Sequence, residues 1–215
     1  MKRFAVVISG CGVQDGAEIH ESVMAMLAID LAGCRYQIFA PDIVQHKVVN
    51  HYTGKEVVEQ RNVLVESARI ARGDVKPLSE LRAADYDALL IPGGFGAALN
   101  LSTFAVEGAN MEVNGELAKA IVDFNSAKKA IGAMCISPVI VAKVLKRSNL
   151  TIGKDEETAS IIEKFGASHI VTEEGEVVAD LDTKVFTTPC YMLNASVKDI
   201  FTSAKSLVSE MLKAM

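Results

Sequence analysis

One cysteine lies where its thiol could act as a nucleophile. Cys135 follows the apolar run 130–134 and precedes Pro138 and a second apolar run, 139–145. This order predicts a strand, a sharp turn and a helix, which is a nucleophile elbow with cysteine in place of serine. Ser137 is expected to cap that helix, whose N-terminus would lower the pKa of the thiol. A merely buried cysteine is the alternative, and spacing alone leaves the two interpretations about even.

A pair of glycines could supply backbone donors to the same site. Gly93 and Gly94 follow the predicted strand 88–91. Glycine lets the backbone approach a bound group closely. The N–H groups of this pair, together with that of Ile136, could form an oxyanion hole. Taken alone, the segment is more simply interpreted as a turn.

Glu21 is a candidate partner for the thiol. It lies in the first turn of the first predicted helix, directly after the first strand. The carboxyl ends of parallel strands meet at one edge of a sheet, so Glu21 and Cys135 are expected at the same edge. Two adjacent ionised groups repel each other, so the pair would share one proton and Glu21 could act as acid or base. Complementing the helix dipole is the simpler role for this carboxylate.

Two other cysteines are expected near the same edge. Cys11 and Cys190 fall on loops after predicted strands and are therefore candidate pocket residues, whereas Cys34 follows a helix stop and is assigned to packing. The four cysteines have no C-x-x-C spacing, and no histidine lies at a zinc-finger interval from one of them. No metal site is therefore predicted.

Histidines could also approach the site. His20 precedes Glu21, and His51 lies on a predicted hairpin, so both are candidate pocket residues. His46 and His169 are expected to face solvent.

The glycine-rich loop 10–16 resembles a dinucleotide fingerprint, but its third glycine comes one residue too late. Such a fingerprint needs its spacing to bring the helix N-terminus to the pyrophosphate. We therefore interpret the segment as an irregular turn and expect no cofactor.

Alternating strands and helices must position these groups. Strands are predicted at 4–9, 37–39, 88–91, 130–134, 177–178 and 185–188, with a hairpin joining 48–49 to 57–58. Helices are predicted at 19–31, 62–71, 116–124, 139–145, 156–165 and 197–215. One face of the first helix carries the apolar residues Ile19, Val23, Met26, Leu27 and Leu31, which is the pattern of a core-facing stripe. The alternation indicates an α/β fold, a mostly parallel sheet with helices on both faces. Residues 1–215 are predicted to form a single domain.

Composition limits the possible partners. The chain has 215 residues, of which 50% are apolar and 23% charged, and a net charge of −5. The apolar fraction is high enough for a large hydrophobic core. The negative net charge argues mildly against nucleic acid or an anionic membrane as a partner. No apolar stretch approaches the length of a membrane span. The short N-terminal apolar run is typical of a strand rather than a signal segment, so we expect a reduced, cytoplasmic protein.

Together these motifs resemble the PfpI/ThiJ superfamily of the class I glutamine amidotransferase-like fold. The shared elements are Glu21, the Pro-Gly-Gly at 92–94 and the elbow at 133–138. Further short matches along nearly the whole chain, among them 9–13, 92–98 and 187–189, are similar to the ElbB-like proteins, which are isoprenoid biosynthesis proteins with an amidotransferase-like domain.

The resemblance implies a flavodoxin-like three-layer sandwich and a homodimer. It also implies that Cys135 is the nucleophile, Glu21 its carboxyl partner, and the amides of Gly94 and Ile136 the oxyanion donors. Amidotransferases place a histidine after a late strand, and other members of the superfamily place one after the elbow helix. Segments 187–191 and 149–154 contain none, which argues against glutaminase and peptidase activity.

A cysteine and a carboxyl group without a positioned histidine suit carbonyl chemistry. The thiolate adds to the aldehyde of glyoxal or methylglyoxal, and the carboxyl group moves a proton between the two carbons, which gives glycolate or lactate without metal or glutathione. The expected partner is thus a small aldehyde or dicarbonyl, and the expected activity is of the glyoxalase III type. Two alternatives stay open: a redox-responsive or partner-binding protein with an oxidisable Cys135, and an amidotransferase-like protein linked to isoprenoid biosynthesis.

Overall fold

The computed structural model describes all residues from Met1 to Met215. It contains the strands β1 (Arg3–Val7), β2 (Arg35–Ala40), β3 (Val48–Asn50), β4 (Lys55–Val57), β5 (Val75–Pro77), β6 (Ala88–Ile91), β7 (Ala130–Met134), β8 (Asn149–Leu150), β9 (Ser168–His169), β10 (Val178–Asp180) and β11 (Val185–Thr188). The helices are α1 (Ile19–Leu31), α2 (Val63–Ala71), α3 (Phe95–Leu99), α4 (Phe104–Glu107), α5 (Gly115–Ser126), α6 (Pro138–Leu145), α7 (Glu156–Lys164) and α8 (Val197–Lys213). Four single 3₁₀ turns complete the elements, at Leu78–Glu80, Ala83–Asp85, Gly108–Asn110 and Cys190–Met192.

Seven strands form the central sheet in the order β10-β11-β7-β6-β1-β2-β5. All neighbouring pairs are parallel except β10 with β11. The carboxyl ends of β1, β6, β7 and β11 therefore lie side by side along one edge. The loops after these four strands carry the candidate site, as expected for an open parallel sheet.

Each face of the sheet packs against its own layer of helices. On β1, Phe4 and Val6 belong to a core shared with α1 and α8, whereas Ala5 and Val7 belong to a core shared with α5, α6 and α7. This alternation follows from the two-residue period of a strand that is buried on both sides. The result is the predicted α/β three-layer sandwich with a mostly parallel sheet. None of its helices combines the length and hydropathy needed to cross a membrane.

The predicted core-facing stripe of α1 is wrong. Val23 and Leu27 are each 40% exposed, and Leu31 is 64% exposed. The buried face of α1 carries smaller side chains, including Ala25 and Ala28. Helix α1 packs against α8, and small side chains allow two helices to approach closely. Apolar spacing alone therefore selected the wrong face of this helix.

The sequence also missed several short elements. Strand β5 (Val75–Pro77) is a three-residue sheet edge that ends on a proline, and helix α3 (Phe95–Leu99) begins directly after the glycine pair. Both are too short for a periodic pattern to appear. Helix α3 matters for the site because it continues from Gly94 along the candidate pocket.

Candidate active site

Cys135 occupies a strained position at the end of β7. Its backbone has a φ of 58°, in the left-handed region that a side chain disfavours. Its N–H donates a hydrogen bond to the carbonyl of Thr188 at 3.0 Å, which fixes the turn to the end of β11. Helix α6 begins three residues later at Pro138. The segment is therefore a strand–turn–helix elbow, and such strain is typical of functional sites.

Ser137 has a different role from the predicted one. Its hydroxyl makes no capping hydrogen bond to α6. Instead it donates to the carbonyl of Pro92 at 2.6 Å, and the side chain is fully buried. The hydroxyl therefore ties the elbow to the loop that carries the glycine pair.

Glu21 is held in place by backbone donors from two other loops. Its side chain is completely buried. One carboxylate oxygen accepts the N–H of Gly93 at 2.8 Å, and the other accepts the N–H of Tyr191 at 3.3 Å. Glu18, the N-cap residue of α1, accepts the N–H of Glu21 at 2.7 Å. The carboxylate thus lies close enough to Cys135 for its charge to add to the effect of burial in raising the pKa of the thiol.

A glycine is required at position 93 because side chains of Cys135 and Glu21 lie against its Cα. A methyl group on its Cα would lie 2.5 Å from Cβ of Cys135 and 2.8 Å from a carboxylate oxygen of Glu21. Its N–H is already engaged by Glu21, so this amide is not free for the predicted oxyanion hole. The amides of Gly94 and Ile136 are the ones that face the sulfur.

The ionisation of the pair differs from the sequence expectation. Burial, reinforced by the nearby charge of Glu18, raises the pKa of Glu21 from its ordinary value of 4.5 to about 7. Burial and the charge of Glu21 also raise the pKa of the Cys135 thiol, although the amides of Gly94 and Ile136 oppose this. The predicted lowering by the helix N-terminus is therefore wrong, because desolvation and a facing carboxylate outweigh it. Near neutral pH the thiol therefore stays protonated while the Glu21 carboxyl group is close to its pKa.

A cavity of about 350 Å³ opens onto Cys135. Its walls are mostly apolar and come from the loop after β1, from α3 and α4, and from the turn after β11. The lining residues are Val13, Glu18, Gly94, Phe95, Ala98, Phe104, Ala105, Cys135, Ile136, Tyr191 and Met192. The candidate nucleophile, the backbone of Gly94 and Ile136 and a concave apolar surface are therefore contiguous. No group of three or more His, Cys, Asp or Glu side chains is arranged to hold a metal ion.

Comparison with known proteins identifies the family. No family model matches the sequence. The chain is 43% identical to the rat "ES1 protein homolog, mitochondrial", covering 98% of this chain and 83% of the relative. It is 44% identical to the human "Glutamine amidotransferase-like class 1 domain-containing protein 3, mitochondrial", covering 98% and 82%. A crystal structure of an isoprenoid biosynthesis protein with an amidotransferase-like domain from Ehrlichia chaffeensis is 36% identical, superposes with a TM-score of 0.93 and covers 100% of this chain and 99% of that one.

The chain belongs to the family of these relatives, the ElbB-like proteins with an amidotransferase-like domain. More distant solved structures share the fold of this ElbB-like protein. Glyoxalase III from Candida albicans superposes with a TM-score of 0.62 at 14% identity, covering 100% of this chain and 97% of that one. The class I glutamine amidotransferase-like fold expected from the motifs is thereby confirmed.

The histidines of this ElbB-like protein do not contact the thiol. His20 is half-exposed, and its Nδ1 lies 2.8 Å from the Tyr191 hydroxyl at the wall of the cavity. His51 accepts the N–H of Gln14 at 3.2 Å and packs over the glycine-rich loop, outside the cavity. His46 is exposed. His169 is half-buried rather than fully solvated, and its Nε2 accepts a backbone N–H at 3.3 Å.

The other cysteines of the ElbB-like chain lie apart from the cavity. Cys11 is half-buried beside Glu66 and Arg69 of α2, and it does not line the cavity. Cys190 is buried, and burial followed by the charges of Glu21 and Cys135 raises the pKa of its thiol, but it too is absent from the lining. The structure thus brings Cys135 together with Glu21 and leaves the other candidate thiols outside.

Sequence reasoning missed the turn after β11. Tyr191 supplies a backbone donor to Glu21 and a side chain to the cavity wall. A backbone amide leaves no trace in residue type, so no sequence signal could assign this donor. The prediction that the loop at 189–191 lies at the same sheet edge was the available hint.

Proposed function

We propose that this protein converts 2-oxoaldehydes such as glyoxal and methylglyoxal into 2-hydroxy acids without a cofactor. The observation that carries the proposal is the completely buried Glu21 carboxyl group beside Cys135: a methyl group on the Cα of Gly93 would lie 2.8 Å from a Glu21 oxygen and 2.9 Å from the Cys135 sulfur. A carboxyl group with a pKa of about 7 can both accept and return a proton near neutral pH. The adjacent amides of Gly94 and Ile136 favour negative charge at the same place.

The reaction proceeds in four steps. Glu21 takes the thiol proton as the sulfur bonds to the aldehyde carbon, and the carbonyl oxygen becomes the hydroxyl of a hemithioacetal as it receives that proton. Glu21 then removes the hydrogen of this carbon as a proton, and the neighbouring carbonyl oxygen takes up a proton, which gives an enediol. Glu21 returns its proton to the neighbouring carbon while the first hydroxyl loses its proton, so the neighbouring carbonyl becomes an alcohol and the first carbon becomes a thioester. Water cleaves the thioester and releases the 2-hydroxy acid and the thiol. The net reaction converts one 2-oxoaldehyde and one water into one 2-hydroxy acid, and it requires no external oxidant.

Three features of the site disfavour the alternatives. The raised pKa of the Cys135 thiol keeps it protonated, and sensor cysteines are usually exposed thiolates. The cavity lining contains no Lys, Arg or His, so a diphosphate of the kind found in isoprenoid precursors would meet no cation there. No histidine contacts the thiol, which disfavours glutamine hydrolysis by the usual acyl-transfer mechanism.

The test is lactate formation from methylglyoxal by the purified protein without added thiol. Cys135→Ala should abolish turnover, because no other thiol lines the cavity. Cys34→Ala is the matched control and should keep full activity, since Cys34 is half-buried with its thiol turned to the carbonyl of Ala32. Equal turnover in Cys135→Ala and the wild type would refute the proposal.

Assembly and location are proposed on the family resemblance alone. We expect a homodimer, which light scattering on the purified protein would test. The sequence predicts a cytoplasmic protein, whereas the rat and human relatives are named as mitochondrial. Fractionation of cells that express the chain would distinguish the two locations.

A further inference from the structure

The cavity beside Cys135 is larger than the substrates proposed above require. A water molecule occupies about 30 Å³ of the liquid, so a 350 Å³ cavity corresponds to roughly twelve water volumes. Methylglyoxal has only five non-hydrogen atoms. Most of the cavity would therefore stay unfilled by such a ligand, and cavities of this size usually hold larger molecules.

The surplus volume is apolar. Nine of its eleven lining residues are hydrophobic, and the wall beyond Cys135 is formed by Ala98, Phe104 and Met192. A purely polar ligand would gain little from these walls, because they offer almost no hydrogen-bonding partners. An alkyl chain would gain from leaving water.

The charge of the wall selects against anions. Glu18 is the one acidic residue of the lining, which contains no basic residue; His20, outside the lining, places its Nδ1 4.0 Å from a Glu18 oxygen. One of its oxygens accepts the N–H of Glu21, so this carboxylate is fixed in place. A carboxylate or phosphate on the ligand would therefore be repelled.

The mouth of the cavity continues the apolar surface. Phe95 is 54% exposed and Val13 is 40% exposed, although both belong to the lining. A hydrogen bond of 2.8 Å from the N–H of Phe95 to the carbonyl of Val13 joins the backbones of these two residues. Exposed apolar side chains grouped at a pocket mark a surface that binds apolar ligands.

We propose that the preferred substrates are uncharged 2-oxoaldehydes that carry an unbranched alkyl chain of about four to six carbons. The dicarbonyl head would lie at Cys135 and the chain along Ala98 and Phe104 towards Phe95. This inference rests on the proposed function for the chemistry of the head. The binding of the alkyl chain by the cavity rests on the geometry alone.

Turnover of a chain-length series tests the preference. Each buried methylene should raise kcat/KM by about fourfold, less the ordering of the chain. We expect hexylglyoxal to exceed methylglyoxal by at least tenfold. Ala98→Leu and Ala105→Leu, which narrow the cavity, should reduce that ratio, whereas Ala127→Leu, on an exposed site after α5, should not. A ratio near one in the wild type would overturn the inference and leave the proposed function standing.

Alkylation of the thiol tests the cavity without catalysis. N-hexylmaleimide and N-methylmaleimide both add their double bond to a thiol, with the thiol proton passing to carbon, and peptide mapping by mass spectrometry reports the rate at Cys135. We expect the hexyl reagent to be at least tenfold faster at Cys135 but not at Cys34, and Ala105→Leu to remove the difference. Equal rates at Cys135 would refute the alkyl subsite whatever the turnover results. A hexyl preference without any Cys135-dependent turnover would support the subsite and refute the proposed reaction.

Discussion

Replacing Glu21 with glutamine isolates the charge of the buried carboxyl group. The carboxyl group ionises near pH 4.5 in an unfolded chain, but burial raises its pKa in the folded protein to about 7. Between these values the folded state holds the proton more tightly, so the stability of the protein should fall as pH rises from 4.5 to 7 and then level off. Glutamine is uncharged throughout this range and removes this dependence.

The size of the effect follows from the shift. A pKa difference of one unit corresponds to about 1.4 kcal/mol, so a shift to about 7 destabilises the ionised folded state by roughly 3 kcal/mol. Between pH 5 and pH 8 the free energy of unfolding of Glu21→Gln should therefore rise, relative to the wild type, by about 2.5 kcal/mol. A constant loss is also expected, because the glutamine NH₂ group would face the N–H of either Gly93 or Tyr191, but it cancels in the comparison between the two pH values.

Urea unfolding of both proteins at pH 5, 6, 7 and 8 measures this difference. Ser137→Ala is the matched control: it removes a buried hydrogen bond from the same site but no titrating group, so its offset from the wild type should not change with pH. A Glu21→Gln offset that is equally flat would show that Glu21 titrates normally. The proton-shuttle argument would then lose its basis.

Two further predictions concern the neighbours of the pair. Gly93→Ala should abolish methylglyoxal turnover and lower stability by about 1–3 kcal/mol, because its methyl carbon would lie 2.9 Å from the Cys135 sulfur. Gly115→Ala meets no atom within 4 Å and should be neutral or stabilising when both variants are unfolded in urea; an equal loss in both variants would contradict the steric argument. His20→Ala should keep turnover within about threefold, because His20 contacts the Tyr191 hydroxyl rather than the thiol. A loss of a hundredfold or more in kcat would instead assign His20 a catalytic role.

The order of elements could be predicted from sequence because it depends on local patterns. The buried runs that became β6 and β7 are bounded by proline, glycine or the elbow, and their ends agree with the structure. Since parallel strands share the direction of their carboxyl ends, this also placed Glu21 and Cys135 at one edge. The two residues of the candidate pair could therefore be selected from residue types and spacing.

Properties that depend on burial and on distances between remote segments could not be predicted from the sequence. The sequence assigned Ser137 to a cap, but the approach of the Pro92 carbonyl gives its hydroxyl a different partner. It assigned the amide of Gly93 to an oxyanion hole, but Glu21 occupies that donor. In both cases two loops remote in sequence compete for one polar group, and only their packing decides the outcome.

The sequence by itself determined the fold class, the elbow and the residue types of the site. Tertiary structure alone decided the face of α1 that is buried, the direction of the Cys135 pKa shift and the apolar cavity beside the thiol. The physical reason is that a helix face, a pKa and a cavity are set by which groups exclude water from one another. That exclusion depends on contacts between segments far apart in the chain, such as those after β1, β6, β7 and β11.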